Sequence, residues 1–513
     1  MSANTSPRHP YATGAVASLC LAQLAIYSLT SGPLAYGSMN DEFYYLACAS
    51  RLAWGYVDHP PLSIALLALV RPLLGDSTLA LSLLPALAAC ANLALLALLA
   101  RELGGGRTAQ ALAAVAAFSA PVYQAVAGFY SMNAFEPPIW TAAAWLLARI
   151  GNGAGTRTWI ALGALLGLGL LNKISVLWLG FGLALGLVLT PARPRLATRG
   201  PWLAAATALA FFAPHLVWQQ LHGWPTLEFI RNASQQKMVH KGPLAFAAEQ
   251  LLVLGPLCAG VWLAGLGWYF TSAGRSQRWL AFIWIGTIAL LMSSGSPRSN
   301  YSAPSYGVLL AGGGVAIERL TRARLRALPV VLAVLLLIEG ALTLPLAVPL
   351  LPPERVPGYA AALGVEAPRD QVDDTAALPL HFAQRFGWRE LAEAVARAAD
   401  TLSPADRAAA VVLARSYGEA GALEHYAAEL SLPPAVSGHN NYWLWGLGDR
   451  SGDVAIAIAE SDAQLARWYT SVERVGAVEC RWCVPRLAAA SVYVVRGLRV
   501  PRDEFWAAQR RFQ

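Results

Sequence analysis

Apolar runs of membrane-crossing length recur as far as residue 350 of this chain, and that recurrence constrains the fold more than any motif in it. A helix needs about 20 apolar residues to cross the hydrocarbon core of a bilayer. Runs near that length centre on residues 15–31, 77–99, 108–127, 137–150, 158–171, 174–190, 201–221, 246–271, 279–293, 303–317 and 328–350. They predict a polytopic α-helical membrane protein with about 11 transmembrane helices. Composition agrees, since 13% of residues are charged and 56% hydrophobic, against about 25% charged in a soluble protein. The first run is followed by no small-residue cleavage site and reads as a retained signal anchor.

Loop arginines orient the spans. One set of alternate connections carries Arg101, Arg107, Arg149, Arg157, Arg193, Arg195, Arg199, Arg275, Arg278, Arg319, Arg322, Arg324 and Arg326, and the opposite set only Arg51, Arg71, Lys173, Arg231, Lys237, Lys241 and Arg298. The richer set belongs on the cytoplasmic side. An inner-membrane protein with a cytoplasmic N-terminus follows, and odd parity puts the C-terminal region on the periplasmic side. The net charge of +8 calls for membrane lipids as partners and for no nucleic acid.

Beyond the Pro-rich hinge at Leu351-Pro352-Pro353 the long apolar runs stop. The boundary divides a transmembrane region, residues 1–351, from a small C-terminal α/β soluble domain, residues 352–513. Within the latter, residues 388–399 and 419–430 read as helices, and 409–414, 453–459, 473–479 and 491–496 as strands. Cys480 and Cys483 have neither a second Cys pair for zinc nor a helix start for a thioredoxin-like motif. A local structural disulfide is the reading that suits a periplasmic domain. Cys20, Cys48, Cys90 and Cys258 read as packing residues, and Gly312-Gly313-Gly314 as helix-packing glycines.

Three outer segments are polar where topology needs only a turn. The first, interfacial in character, holds Asn40-Asp41-Glu42-Phe43-Tyr44-Tyr45 and continues to Trp54-Gly55-Tyr56-Val57-Asp58-His59-Pro60-Pro61. The second runs from Phe129 through Asn133 and Glu136 to Pro138, and the third from Ser296 through Arg298 and Tyr301 to Pro304. Carboxylates at a bilayer mouth are costly unless they hold a ligand or do chemistry. Each also has a plainer reading: Asn40 with two acids is good helix-start chemistry, Asp58-His59 suits a solvated turn before Pro-Pro, Arg298 can snorkel, and Lys173 can cap a helix. Tyr44, Tyr45, Trp54 and Tyr56 read as interface anchors.

An Asp-Glu pair after the first span, an acid before x-Pro-Pro-Leu, a short polar motif after the third span and a cation-x-x-Tyr-x-x-Pro near the ninth together resemble the GT-C glycosyltransferases. More narrowly they resemble glycosyltransferase family 39, which includes protein O-mannosyltransferases and the lipid A aminoarabinose transferase. The resemblance implies sugar transfer from a polyprenyl (undecaprenyl) phosphate donor to a glycan, lipid or protein hydroxyl, with inversion. It implies Asp41 as general base, with Glu42 supporting it or orienting the acceptor. Arg298, Tyr301, His59 and Lys173 become candidates for the donor phosphate, His59 standing where relatives often carry Lys. Asp58 falls where some members bind a divalent metal, and Asn133 where relatives place Asp, with Glu136 three residues on as the substitute acid. Ser437-Gly438-His439-Asn440-Asn441-Tyr442-Trp443 is a candidate binding loop or simply a folded one. A transporter or flippase of a polyprenyl-linked or anionic substrate is the alternative, disfavoured by the absence of an internal repeat; a glycan-binding envelope scaffold is the third.

Overall fold

The computed structural model describes residues 9–295, 297–322, 324–365, 371 and 376–513; Ser296 of the third outer segment lies outside them. The chain divides into two compact units, one of residues 1–35, 79–218 and 239–351, the other of 36–78, 219–238 and 352–513. The second unit thus joins residues 352–513 with the acidic segment near residue 41 and with residues 219–238.

In the first unit helices stand at every apolar run, among them Thr13–Ser31, Thr78–Glu102, Met132–Gly151, Thr156–Asn172, Val176–Leu189, Gly307–Thr321 and Leu328–Ala347. By length and apolar composition four of the described helices can cross a bilayer: Thr13–Ser31, Thr78–Glu102, Arg199–Leu221 and Leu328–Ala347. Pro243–Leu254 and Cys258–Phe270 are long and apolar enough only when taken together, and they meet at 114°, the geometry of a broken span or a re-entrant pair. Helices pack closely through small residues: a Cβ on Gly313 would run into the Val261 carbonyl, and one on Gly312 would lie 2.9 Å from the Tyr269 ring.

The break has a polar keystone that sequence reading passed over. Gly255 takes φ +94°, and Glu339 of the Leu328–Ala347 helix accepts the Leu257 backbone N–H at 2.9 Å. Glu339 thus serves a helix-start donor that has no partner within its own helix. Glu339→Gln retains an acceptor, whereas Glu339→Leu removes it; the latter is expected to cost about 1–3 kcal/mol, read as a lower thermal midpoint in detergent that Gln largely spares.

The second unit is built on a five-stranded sheet of β1 (Val411–Ala414), β2 (Ala435–Ser437), β3 (Val454–Ala459), β4 (Tyr469–Ala477) and β5 (Ser491–Leu498). Strand order is β2-β1-β3-β5-β4, with β1 parallel to β2 and β3, and β5 antiparallel to β3 and β4. Val411, Ala455, Ala457, Tyr493 and Val495 share one core with Phe505. The helix Trp388–Asp400 buries Leu391, Ala392, Val395 and Ala399, an i, i+1, i+4, i+8 stripe that amphipathic spacing dictates.

Two expectations change in this unit. Tyr44, Tyr45 and Tyr56 are buried side chains, and only Trp54, 60% exposed, stands where an interface anchor would. The helix Asn40–Ala49 is covered from Glu42 to Ala49, whereas the following helix Leu62–Leu74 exposes Leu69 and Leu73 and suits an interface. Cys480 and Cys483 are unbridged thiols instead of the expected disulfide; the Cys480 Sγ accepts the Cys483 backbone N–H at 3.2 Å, and the Cys483 Sγ turns to the Cys480 carbonyl at 3.5 Å.

Candidate active site

The candidate residues fall into two groups, one in each unit. In the second unit the helix Asn40–Ala49 has Met39 rather than Asn40 as its N-cap, and Asn40 donates its backbone N–H to the Gln384 carbonyl at 3.2 Å. Glu42, three residues in, reaches back to accept the Met39 N–H at 2.7 Å and is 2% exposed. That is the returning half of a capping box. The buried guanidinium of Arg385 also feels Glu42, which opposes the burial that pulls Arg385 below its ordinary range. The helix-cap reading therefore describes Glu42. Asp41 remains partly accessible, and its Oδ1 accepts the hydroxyl of Tyr417 at 3.0 Å.

A second acid is held in parallel. Asp58 Oδ1 accepts the Tyr44 hydroxyl at 2.9 Å, and the rings of Tyr44 and Tyr417 stack at 4.5 Å. Asn441 ties this down, its Oδ1 accepting the Val57 N–H at 2.6 Å and its own N–H meeting the Tyr44 hydroxyl at 3.4 Å. Burial and the adjacent Asp58 push the Tyr44 phenol well above its ordinary range, so Tyr44 donates as a neutral hydroxyl.

His59 is enclosed rather than presented. It is 1% exposed, with the rings of Tyr45 and Tyr56 4.9 and 4.8 Å away. Its Nδ1 donates to the Pro60 carbonyl at 3.1 Å, and its Nε2 stands 4.0 Å from Asp58 Oδ1 without a hydrogen-bond partner. A phosphate contact needs a cation that reaches an open surface, which this ring does not. Among the described residues no group of three or more His, Cys, Asp or Glu is placed to hold a metal ion. Asp58 has Tyr44 as its partner, and its surroundings do not fit a protein-built metal cage.

The first unit carries the cations. Ser131 caps the helix Met132–Gly151 by accepting the Asn133 N–H, which sets Asn133 and Glu136 one turn apart on one face. Lys173, at the end of Thr156–Asn172, bonds both, Nζ lying 2.7 Å from Asn133 Oδ1 and 2.6 Å from Glu136 Oε2. Its side chain is thus engaged by Glu136 rather than by the helix end. Ser175 donates to the other Glu136 oxygen. Lys173 Nζ also sits 4.7 Å from the ring centre of Tyr301, and Arg298 lies 5.7 Å from the same ring. Arg298 and Tyr301 are both partly accessible.

Several members of these groups went unread in the sequence. Lys241, Glu249 and Gln250 grip the segment that carries Arg298 and Tyr301: Lys241 Nζ bonds Glu249 at 2.7 Å and Ser299 at 3.1 Å, and Gln250 accepts the Ser302 hydroxyl at 2.5 Å. Tyr417 had one local signal, since Ser416-x-x-Glu419 is a capping-box pattern. The 437–443 segment leads from the end of β2 into a short helix, Asn441–Trp445, with His439, Asn440 and Asn441 buried. Burial and the nearby Arg511 hold the His439 imidazole well below its ordinary range. Neutral, it accepts the Tyr417 N–H at Nδ1 and donates from Nε2 to the Gln513 carbonyl at 2.8 Å.

Residues 58–218 match the family model of dolichyl-phosphate-mannose-protein mannosyltransferase. The matched stretch includes Asp58, His59, Asn133, Glu136 and Lys173 and leaves out Asp41, Glu42, Arg298 and Tyr301. ArnT from Cupriavidus metallidurans, solved bound to undecaprenyl phosphate, is similar with a TM-score of 0.62 at 16% identity, over 94% of this chain and 98% of that one. Its apo state gives 0.61 at the same identity and coverage. An Archaeoglobus fulgidus oligosaccharyltransferase tethered with an acceptor peptide gives 0.49 at 12% identity, over 80% of this chain and 63% of that one. No curated protein matches the chain.

Proposed function

From the GT-C superfamily fold of this chain we propose that it is an inner-membrane glycosyltransferase which moves a sugar from a polyprenyl phosphate, of the undecaprenyl class, to an acceptor hydroxyl on the periplasmic side. The likeness in fold to a protein solved with undecaprenyl phosphate supports the donor class. One observation carries the choice of base: of the adjacent acids, Glu42 is buried in a helix cap whereas Asp41 is partly accessible.

In this reading Asp41 takes the proton of the acceptor hydroxyl as its oxygen attacks the anomeric carbon. The carbon–oxygen bond to the donor phosphate breaks on the opposite face, which inverts the centre. The departing polyprenyl phosphate carries away the bonding pair, and Arg298 meets that charge with a planar fork suited to phosphate oxygens. Tyr301 donates beside it, while Lys173, buried and paired with Glu136, adds no net charge of its own.

Mass spectrometry of envelope glycolipids, polysaccharides and glycoproteins from a deletion strain should show one sugar missing, restored by the wild-type gene. Purified protein given undecaprenyl-phosphate sugars together with the glycolipids, polysaccharides and glycoproteins of the deletion strain's envelope as acceptors should then glycosylate one of them and release undecaprenyl phosphate. Loss of the sugar in cells without release by the purified protein would favour a flippase; an unchanged envelope would overturn both.

A further inference from the structure

We propose that Tyr417, from the C-terminal sheet region, is the positioning residue for Asp41, so that this region forms part of the acid site instead of an accessory module. The inference takes its catalytic meaning from the reading of Asp41 as base.

The contact is built at the backbone level. The helix Tyr417–Leu430 meets Asn40–Ala49 through glycines: a Cβ on Gly418 would stand 2.9 Å from Asn40 Cβ, and one on Gly421 2.7 Å from the Phe43 carbonyl carbon. Both distances are too short for a side chain, so these positions let the two backbones approach. The start of the helix is fixed as well, Ser416 accepting the Glu419 N–H and Glu419 accepting the Arg415 N–H at 2.7 Å. Tyr417, the first helical residue, is thereby set over Asp41.

Its ring has no latitude. Tyr44 stacks on it at 4.5 Å and the His439 ring lies against it at 4.7 Å. A stiff two-sided clamp fixes where the hydroxyl points, and it points at Asp41 Oδ1. A hydrogen bond donated to the ionised form of a carboxylate favours that form and fixes its plane. The neighbouring pair repeats the design, Tyr44 serving Asp58. The two stacked phenols thus link both acids of the segment, 17 positions apart in sequence (41 to 58), to residues more than 350 positions further on.

Tyr417→Phe keeps the ring, its stack and the packing and removes only the donor. Protein labelled with 13C at aspartate carboxyls, in detergent, would report the Asp41 titration, assigned by the signal that Asp41→Asn removes. The expected result is that this titration moves to higher pH in Tyr417→Phe. In the transfer assay kcat falls with KM little changed, and the acid limb of the pH profile shifts the same way. A Tyr417→Phe protein with a wild-type thermal midpoint and an unmoved Asp41 titration would overturn the inference. If Tyr417→Phe proves unstable, rates for Asp41→Asn and the double variant decide: equal rates support action through Asp41, and additive losses refute it. Full activity in Asp41→Asn would sink the base assignment, while the carboxyl titration would still test the Tyr417 contact.

Discussion

Asp41→Asn should lower the rate of sugar transfer by roughly 10²–10⁴-fold, the range a positioned general base contributes, in a protein that folds as the wild type does. The substitution is nearly isosteric, and the Asn carbonyl still accepts the Tyr417 hydroxyl that now bonds Asp41. What disappears is the capacity to take a proton. Glu42→Gln provides the contrast, since Glu42 accepts the Met39 N–H in the helix cap. That change weakens a charge-assisted acceptor at a helix start, where loss of a cap costs about 0.5–2 kcal/mol. Its signature is a lower thermal midpoint with most of the turnover retained. Initial rates with an undecaprenyl-phosphate sugar, measured beside thermal melts in the same detergent, separate the two. Wild-type turnover in Asp41→Asn, or a larger rate loss in a well-folded Glu42→Gln, would reverse the roles given to the pair.

How much of this was legible in the sequence depends on the range of the interaction. Apolar length is a local property, so each run already stated where a helix would stand, and most strands followed from equally local patterns. The acids and cations were legible as types, because a charge beside a bilayer run is conspicuous. Their partners were not. Tyr417 and Asp41 are 376 positions apart, and no periodicity relates them. Glu339 sits alone in an apolar run, where its role depends on a break more than 80 positions away. The aromatic content of residues 44–56 told correctly that something apolar covers them, but not that protein rather than lipid does so at Tyr44, Tyr45 and Tyr56. Spacing also brought Cys480 and Cys483 within reach of each other without determining that each sulfur faces a backbone group of the other.

The polar cluster of the first unit yields the second large effect. Lys173→Met should destabilise the protein by about 3–5 kcal/mol, the cost of leaving a buried charge without its partner. The Lys173 and Glu136 side chains are 10% and 5% exposed and 2.6 Å apart, so water can do little for the carboxylate left behind. Ser175 still donates to Glu136, which moderates the loss without replacing a cation. Removing both charges in Lys173→Met/Glu136→Leu should recover most of the stability, because the desolvation penalty vanishes together with the attraction. Thermal melts of the wild type, the two single variants and the double variant close this cycle; a double variant no more stable than Lys173→Met would refute the ion-pair account. The same double variant also separates folding from function. If Lys173 serves only to neutralise Glu136, a refolded double variant transfers sugar at close to the wild-type rate. If its position 4.7 Å over the Tyr301 ring reflects a charge kept for the donor phosphate, stability returns and transfer does not.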